Sequence, residues 1–224
     1  MPVIDDERNG IEDARLVLFT YDDGSTEYRA TYTAYNGRSI IPRLLTSRDL
    51  LSFESHPLTG PAATNKGIAP FPRPIKGELY ALVRSDGETN GLAHSPDGLA
   101  WGRETAIRGP VLPWEIVKSG NCGSPIETDE GWLVITHGVG PMRVYSMGAM
   151  LLDLDDPRRV ISVLPEPMIR STGAMQPGYV PNVVYSCGGI LHDGVVWLPH
   201  GVGDNRIRVA SVGLTELLDA MVAV

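Results

Sequence analysis

Apolar and β-branched residues gather in four short runs along the chain: Arg29–Tyr35, Leu79–Arg84, Trp132–His137 and Val195–His200. Each is rich in β-branched and aromatic side chains, the composition of a pleated, half-covered strand. Their centres lie roughly 50 to 65 residues apart, the spacing of an array of repeated β units. An upstream strand and a turn precede each run. The turns are Asp22-Asp23-Gly24-Ser25, Lys76-Gly77, Asp129-Glu130-Gly131 and His192-Asp193-Gly194, whose Asp and Gly tolerate positive φ. A third strand follows each run, at Arg43–Ser47, Thr89–Ser95, Ser146–Leu152 and Arg206–Val212. In the second repeat, Ser95-Pro96-Asp97-Gly98 before Trp101 reads as a turn into an outer strand. One helix is expected, over Thr215–Met221. The pattern predicts an all-β chain, a single domain over residues 1–224, in which four units of three or four antiparallel strands stand around an axis as a propeller. A β-sandwich would give many short strands too, but not the long, matched period.

Composition supports this picture. The 224 residues include 25 Gly and 18 Pro, an excess that points to turns rather than helices. The net charge is −8, and no Lys/Arg run is dense enough to track a phosphate backbone, so nucleic acid is not an expected partner. No apolar stretch approaches the roughly 18 residues of a membrane span. Met1–Arg8 has none of the features of a signal peptide, and two cysteines, Cys122 and Cys187, make no disulfide framework. The expectation is a cytoplasmic protein with reduced thiols.

Candidate chemistry lies where units open. Glu12-Asp13-Ala14-Arg15, Asn65-Lys66-Gly67, Asn121-Cys122-Gly123-Ser124-Pro125 and Pro181-Asn182-Val183-Val184 occupy equivalent places, and in a propeller such loops converge at one end of the channel. Glu12-Asp13-x-Arg15 offers a carboxylic acid that could protonate a departing glycosidic oxygen. Its alternative is a surface Asp–Arg pair in a loop before a strand. Lys66, with Arg73 nearby, could hold a phosphate or sugar hydroxyls, or be an ordinary exposed lysine. His137-Gly138 and His200-Gly201 end equivalent strands, but no further ligands stand at metal-site spacing, so no metal is expected. There is no Gly-x-Ser-x-Gly elbow and no glycine-rich phosphate loop opening a helix.

The ordered set of motifs resembles glycoside hydrolase family 130, the mannoside phosphorylases and related mannosidases. It comprises Ile11–Arg15, Tyr32–Gly37, Asn65-Lys66-Gly67 through Arg73, Gly120–Pro125, Gly131–Val139, Gly148–Pro157 and Gly178–Gly188, covering nearly the whole chain. The resemblance implies a five-bladed-type β-propeller, of which about four blades are visible, and cleavage of β-mannosidic bonds. It makes Asp13 the general acid. Phosphate, a co-substrate rather than a cofactor, attacks with inversion and yields mannose 1-phosphate without a general base. It implies substrate contacts from Glu12, Arg15, Asn36, Tyr145 and Asp204, and phosphate contacts from Arg38, Arg43, Lys66 and His137. The expected partner is a β-mannoside oligosaccharide. Relatives that hydrolyse use water and carboxylate bases, so a hydrolase is one alternative and a non-catalytic sugar- or protein-binding propeller another. Family members carry roughly one more blade ahead of the Glu-Asp-x-Arg motif. An open ring would expose apolar sheet faces, which makes a homo-oligomer an expectation as well. Pro70 falls where an apolar residue is expected and weakens the local strand.

Overall fold

The computed structural model describes residues 3–171 and 180–224, which leaves Gly178 and Tyr179 of the last motif outside. The chain is mostly β-strand, in four antiparallel sheets that follow one another in sequence. The first holds β1 (Ile11–Thr20), β2 (Thr26–Tyr35), β3 (Ile40–Ser47) and β4 (Glu54–Pro57), in that order. The second holds β5 (Ala69–Pro70), β6 (Leu79–Val83), β7 (Asn90–Ser95) and β8 (Thr105–Arg108). The third holds β9 (Lys118–Asn121), β10 (Ile126–Thr128), β11 (Gly131–Val139), β12 (Tyr145–Leu152), β13 (Val160–Val163) and β14 (Ile169–Arg170). The fourth holds β15 (Val184–Tyr185), β16 (Ile190–His192), β17 (Val195–Val202) and β18 (Arg206–Gly213). Helix α1 (Leu214–Asp219) then carries the chain to β19 (Val222–Ala223), which pairs with β13 of the third sheet.

The period of two along each strand decides what each sheet touches. In the third sheet Trp132, Val134, Met150 and Leu152 pack on Phe71, Leu82 and Leu92 of the second. The alternate residues Leu133, Ile135, Met147, Ala149 and Leu151 pack on Val184, Val196, Leu198 and Val202 of the fourth. Every position of β11 is consequently buried. Leu44 of the first sheet meets Ala81, Val83 and Ala93 of the second. Polar contacts fix the spacing between sheets: Thr31 Oγ1 donates to the Ile68 carbonyl at 2.5 Å and Asn121 Nδ2 to the Gly67 carbonyl at 2.9 Å, both buried.

The expected turns form. Lys76-Gly77 and Asp193-Gly194 have positive φ at both residues, the geometry of a tight hairpin that matches strand twist. The helix begins and ends slightly earlier than Thr215–Met221. Trp101 is a buried residue ahead of the outer strand β8. Pro70 does not abolish its strand but leaves only a two-residue β5, since proline cannot donate to the ladder.

The two terminal sheets each keep one open face. On the first, Leu16 and Leu18 are 58% and 48% exposed, and on the fourth, Trp197, Val209 and Ile207 lie along one exposed face.

Candidate active site

A pocket of about 440 Å³ opens where the sheets' first strands begin. Glu12 and Asp13 reach it from β1, Asn65 and Lys66 from the segment before β5, and Arg84 from the residue after β6. Lys118 enters from β9, His137 from β11, Tyr145 from β12 and Tyr185 from β15. Arg143 and Asp204 reach it from the turns after β11 and β17. Four cations (Lys66, Arg84, Lys118, Arg143) and three carboxylates (Glu12, Asp13, Asp204) share this wall. The chain has 19 Lys and Arg against 27 Asp and Glu, so the pocket reverses the local sign of charge.

Asp13 sits at a β-bulge. The β1–β2 register slips between Glu12 and Arg15, setting Asp13 and Ala14 against one residue of β2, and Asp13 adopts φ 58°. A non-glycine residue there is strained by about 1–3 kcal/mol and persists only when its surroundings hold it. Arg15 provides that hold: its Nη1 donates to the Asp13 carbonyl at 2.8 Å, and its Nη2 lies 3.8 Å from Asp13 Oδ2. Arg15 is 1% exposed, whereas the Asp13 side chain keeps 27% exposure toward the pocket. The Asp–Arg pair therefore lies inside β1, with its arginine buried, and is not a surface pair in a loop ahead of a strand. Cys187 Sγ approaches Asp13 Oδ1 at 3.9 Å, and burial pushes that thiol up to about 11, so it stays protonated.

Arg84 and His137 stand together in the pocket wall. Arg84 Nη1 lies 3.1 Å from His137 Nε2; a guanidinium only donates, so Nε2 accepts and the ring is neutral. Burial, then the charges of Arg84, Arg15 and Lys118, hold the His137 pKa well below the usual histidine range. Two glycines make room for this pair. A Cβ on Gly67 would come 2.6 Å from Arg84 Nε, and one on Gly120 would come 2.7 Å from His137 Cε1. His137 is stacked on Tyr145 (6.4 Å, 11°) and meets Tyr185 edge-on (5.1 Å, 66°). Lys118 Nζ stands 5.7 Å over the Tyr145 ring. Lys66 is paired with Glu12 across the pocket mouth.

Of the residues singled out in the sequence, Glu12, Asp13, Lys66, His137, Tyr145 and Asp204 line this pocket, and Arg15 lies directly behind Asp13. Four others do not line it, among them Arg73, whose Nε donates to Glu127 Oε2 at 2.9 Å. Arg43 alternates with Leu44 and so projects from the face away from the second sheet, where it bonds Asp6 at 2.7 Å and Ser55 at 2.9 Å. Asn36 and Arg38 form the β2–β3 turn, with Asn36 Oδ1 accepting from the Arg38 and Ser39 amides at 2.9 Å. Sequence reasoning missed Arg84, Lys118, Arg143 and Tyr185. Arg84 carried a signal, because it ends its repeated strand as His137 ends the expected strand of the next repeat. Among the described residues no group of three His, Cys, Asp or Glu side chains could hold a metal ion.

Comparison with known proteins places these features in a family. The profile of glycoside hydrolase family 130, described as beta-1,4-mannooligosaccharide phosphorylase, matches residues 1–223. A 1,2-beta-oligomannan phosphorylase of Thermoanaerobacter sp. (strain X514) is 33% identical, over 94% of this chain and 71% of its own length. A beta-1,2-mannobiose phosphorylase of Listeria innocua is 32% identical, over 93% of this chain and 59% of its own length. The solved beta-1,2-mannobiose complex of the phosphorylase from Listeria innocua superposes with a TM-score of 0.83 at 29% identity, covering 98% of this chain and 62% of that one. The chain thus spans roughly three-fifths to seven-tenths of the length of these relatives. With the matched motifs, the shared fold and the profile agreeing across the chain, it belongs to glycoside hydrolase family 130.

Proposed function

We propose that this chain carries the active site of an inverting β-mannoside phosphorylase. The observation that carries the reading is one pocket in which a carboxyl group, Asp13, faces a cluster of cations, Lys66, Arg84 and Lys118, beside a neutral histidine. Asp13 protonates the departing glycosidic oxygen. Inorganic phosphate, gripped by the cations, attacks the anomeric carbon from the opposite face. The carbon–oxygen bond to the leaving sugar breaks as the bond to phosphate forms, giving mannose 1-phosphate of inverted configuration and a free sugar. Phosphate is already an anion, so no base is required. The carboxylates Glu12 and Asp204 and the phenol of Tyr145 hold sugar hydroxyls at the rim. Four cations around one pocket favour phosphate over water as nucleophile, which sets the hydrolase reading second. The two relatives named above act on β-1,2-linked mannosides, which makes β-1,2-mannobiose the first substrate to try.

We also infer that the four consecutive sheets are blades of a five-bladed-type propeller. The open apolar faces of the first and fourth sheets support this, since a further sheet packed between them would cover both.

The test is production of mannose 1-phosphate from β-1,2-mannobiose by the chain and by Asp13→Asn. The proposal expects product from the first and at least about a hundredfold less from the second, the range of a lost general acid. Equal rates would remove Asp13 from the chemistry.

A further inference from the structure

The pocket has an acid side and an anion side, and one residue touches both. Tyr185, on β15 of the fourth sheet, puts its hydroxyl oxygen 2.6 Å from Arg15 Nη2. Its ring meets His137 edge-on, and His137 in turn accepts from Arg84. Burial raises the Tyr185 pKa, so the phenol stays neutral and accepts from the guanidinium.

What Arg15 would be without it follows from its partners. The side chain is buried, and among the described residues its Nε has no hydrogen-bond partner. Among the described residues its guanidinium makes two hydrogen bonds, one to the Asp13 carbonyl and one to Tyr185. The first clamps a residue at φ 58° in a bulge. The second fixes the guanidinium that does the clamping. We propose that Tyr185 is a positioning residue for proton donation: through Arg15 it holds the strained Asp13 where the leaving oxygen will be. The inference rests on the phosphorylase reading and deepens it. It separates Tyr185 from the phosphate-gripping residues, although its ring lies against one of them.

Tyr185→Phe tests this, because it removes the hydroxyl and keeps the ring on His137. Initial rates are measured on β-1,2-mannobiose, whose leaving sugar needs a proton, and on dinitrophenyl β-mannoside, whose leaving group does not. The expected result is a kcat loss of about tenfold or more on mannobiose, since a small misplacement of a reacting group costs that much. Rates on the dinitrophenyl substrate and the KM for phosphate should stay within about twofold of the unsubstituted chain. An equal loss on both substrates, or no loss on either, would overturn the proposal. Silence of the unsubstituted chain on both substrates would instead sink the phosphorylase reading. A thermal cycle then judges the link by itself. Tyr185→Phe and Arg15→Lys should each lower Tm by about 2–4 °C, as loss of a hydrogen bond does in a chain of this size, and the double variant should fall no further than the worse single one. Fully additive losses would show that the two side chains do not act together.

Discussion

Gly120 offers a sharp test of how the anion side is built. It lies directly opposite His137 in the β9–β11 ladder. A methyl group there would stand 2.7 Å from His137 Cε1, closer than side-chain contacts come, and 3.1 Å from Arg84 Cδ, a tight contact. His137 is 1% exposed and boxed in by Tyr145 and Tyr185, so it has little room to swing away. Overpacking of this kind costs about 1–3 kcal/mol. Expressed as displacement of Arg84 and His137, that is roughly a 5- to 150-fold rise in the KM for phosphate. Expressed as global stability, it is a Tm loss of about 2–12 °C. The assay is initial rate against phosphate at saturating mannoside for Gly120→Ala, with a thermal melt alongside. Gly109→Ala is the control, because the nearest atom to its added carbon, Thr89 Cγ2, is 3.8 Å away. The expected outcome is a phosphate KM at least about fivefold higher with the mannoside KM little changed. A native phosphate KM in Gly120→Ala would refute the assignment of Arg84 and His137 to the anion side.

Other consequences follow from the same geometry. Arg84→Ala should raise the phosphate KM by about 1.5–3 kcal/mol of lost charged hydrogen bonding, more than tenfold, which phosphate titration of initial rates checks. His137 is held neutral by burial and neighbouring cations, so below about pH 6.5 the unfolded chain binds a proton that the folded chain refuses. Stability should therefore fall as pH drops from 7 to 5, and melts of His137→Gln over that window should show a shallower fall. Arg108 and Glu115 form a buried ion pair at 2.5 Å, with side-chain exposures of 9% and 1%. Arg108→Leu strands the carboxylate and should cost about 3–5 kcal/mol, a Tm loss of about 6–20 °C by calorimetry.

Much of the architecture was legible because local and global signals agree. The four apolar runs became the middle strands of four sheets, and the Asp/Gly turns between strands took the positive φ their residues allow. The third sheet was less legible. Its first strand is split into β9 and β10 around Cys122–Pro125, where a Cβ on Gly123 would come 2.4 Å from Gly188 Cα of the fourth sheet, a close approach that spacing does not reveal. The return of β19 to β13 is likewise a tertiary event. In the site, Glu12, Asp13, Asn65, Lys66 and Val183 of the unit openings meet at one pocket, whereas Asn121 and Cys122 of the third opening are buried, Asn121 on the Gly67 carbonyl and Cys122 in the core. Arg43 does not reach that pocket, because a strand turns each successive side chain to the opposite face, and only the packing of Leu44 tells which face is which. The bulge at Asp13 was invisible too. Nothing in Glu-Asp-Ala-Arg announces a left-handed aspartate, and its stability depends on Arg15 and on Tyr185, 170 positions beyond that arginine.

The nucleophile decides the central claim. Phosphorus NMR of the chain incubated with β-1,2-mannobiose and inorganic phosphate should show mannose 1-phosphate growing in step with loss of phosphate, and no turnover when phosphate is left out. Free mannose released at the same rate with and without phosphate would contradict the account and identify water as the attacking group.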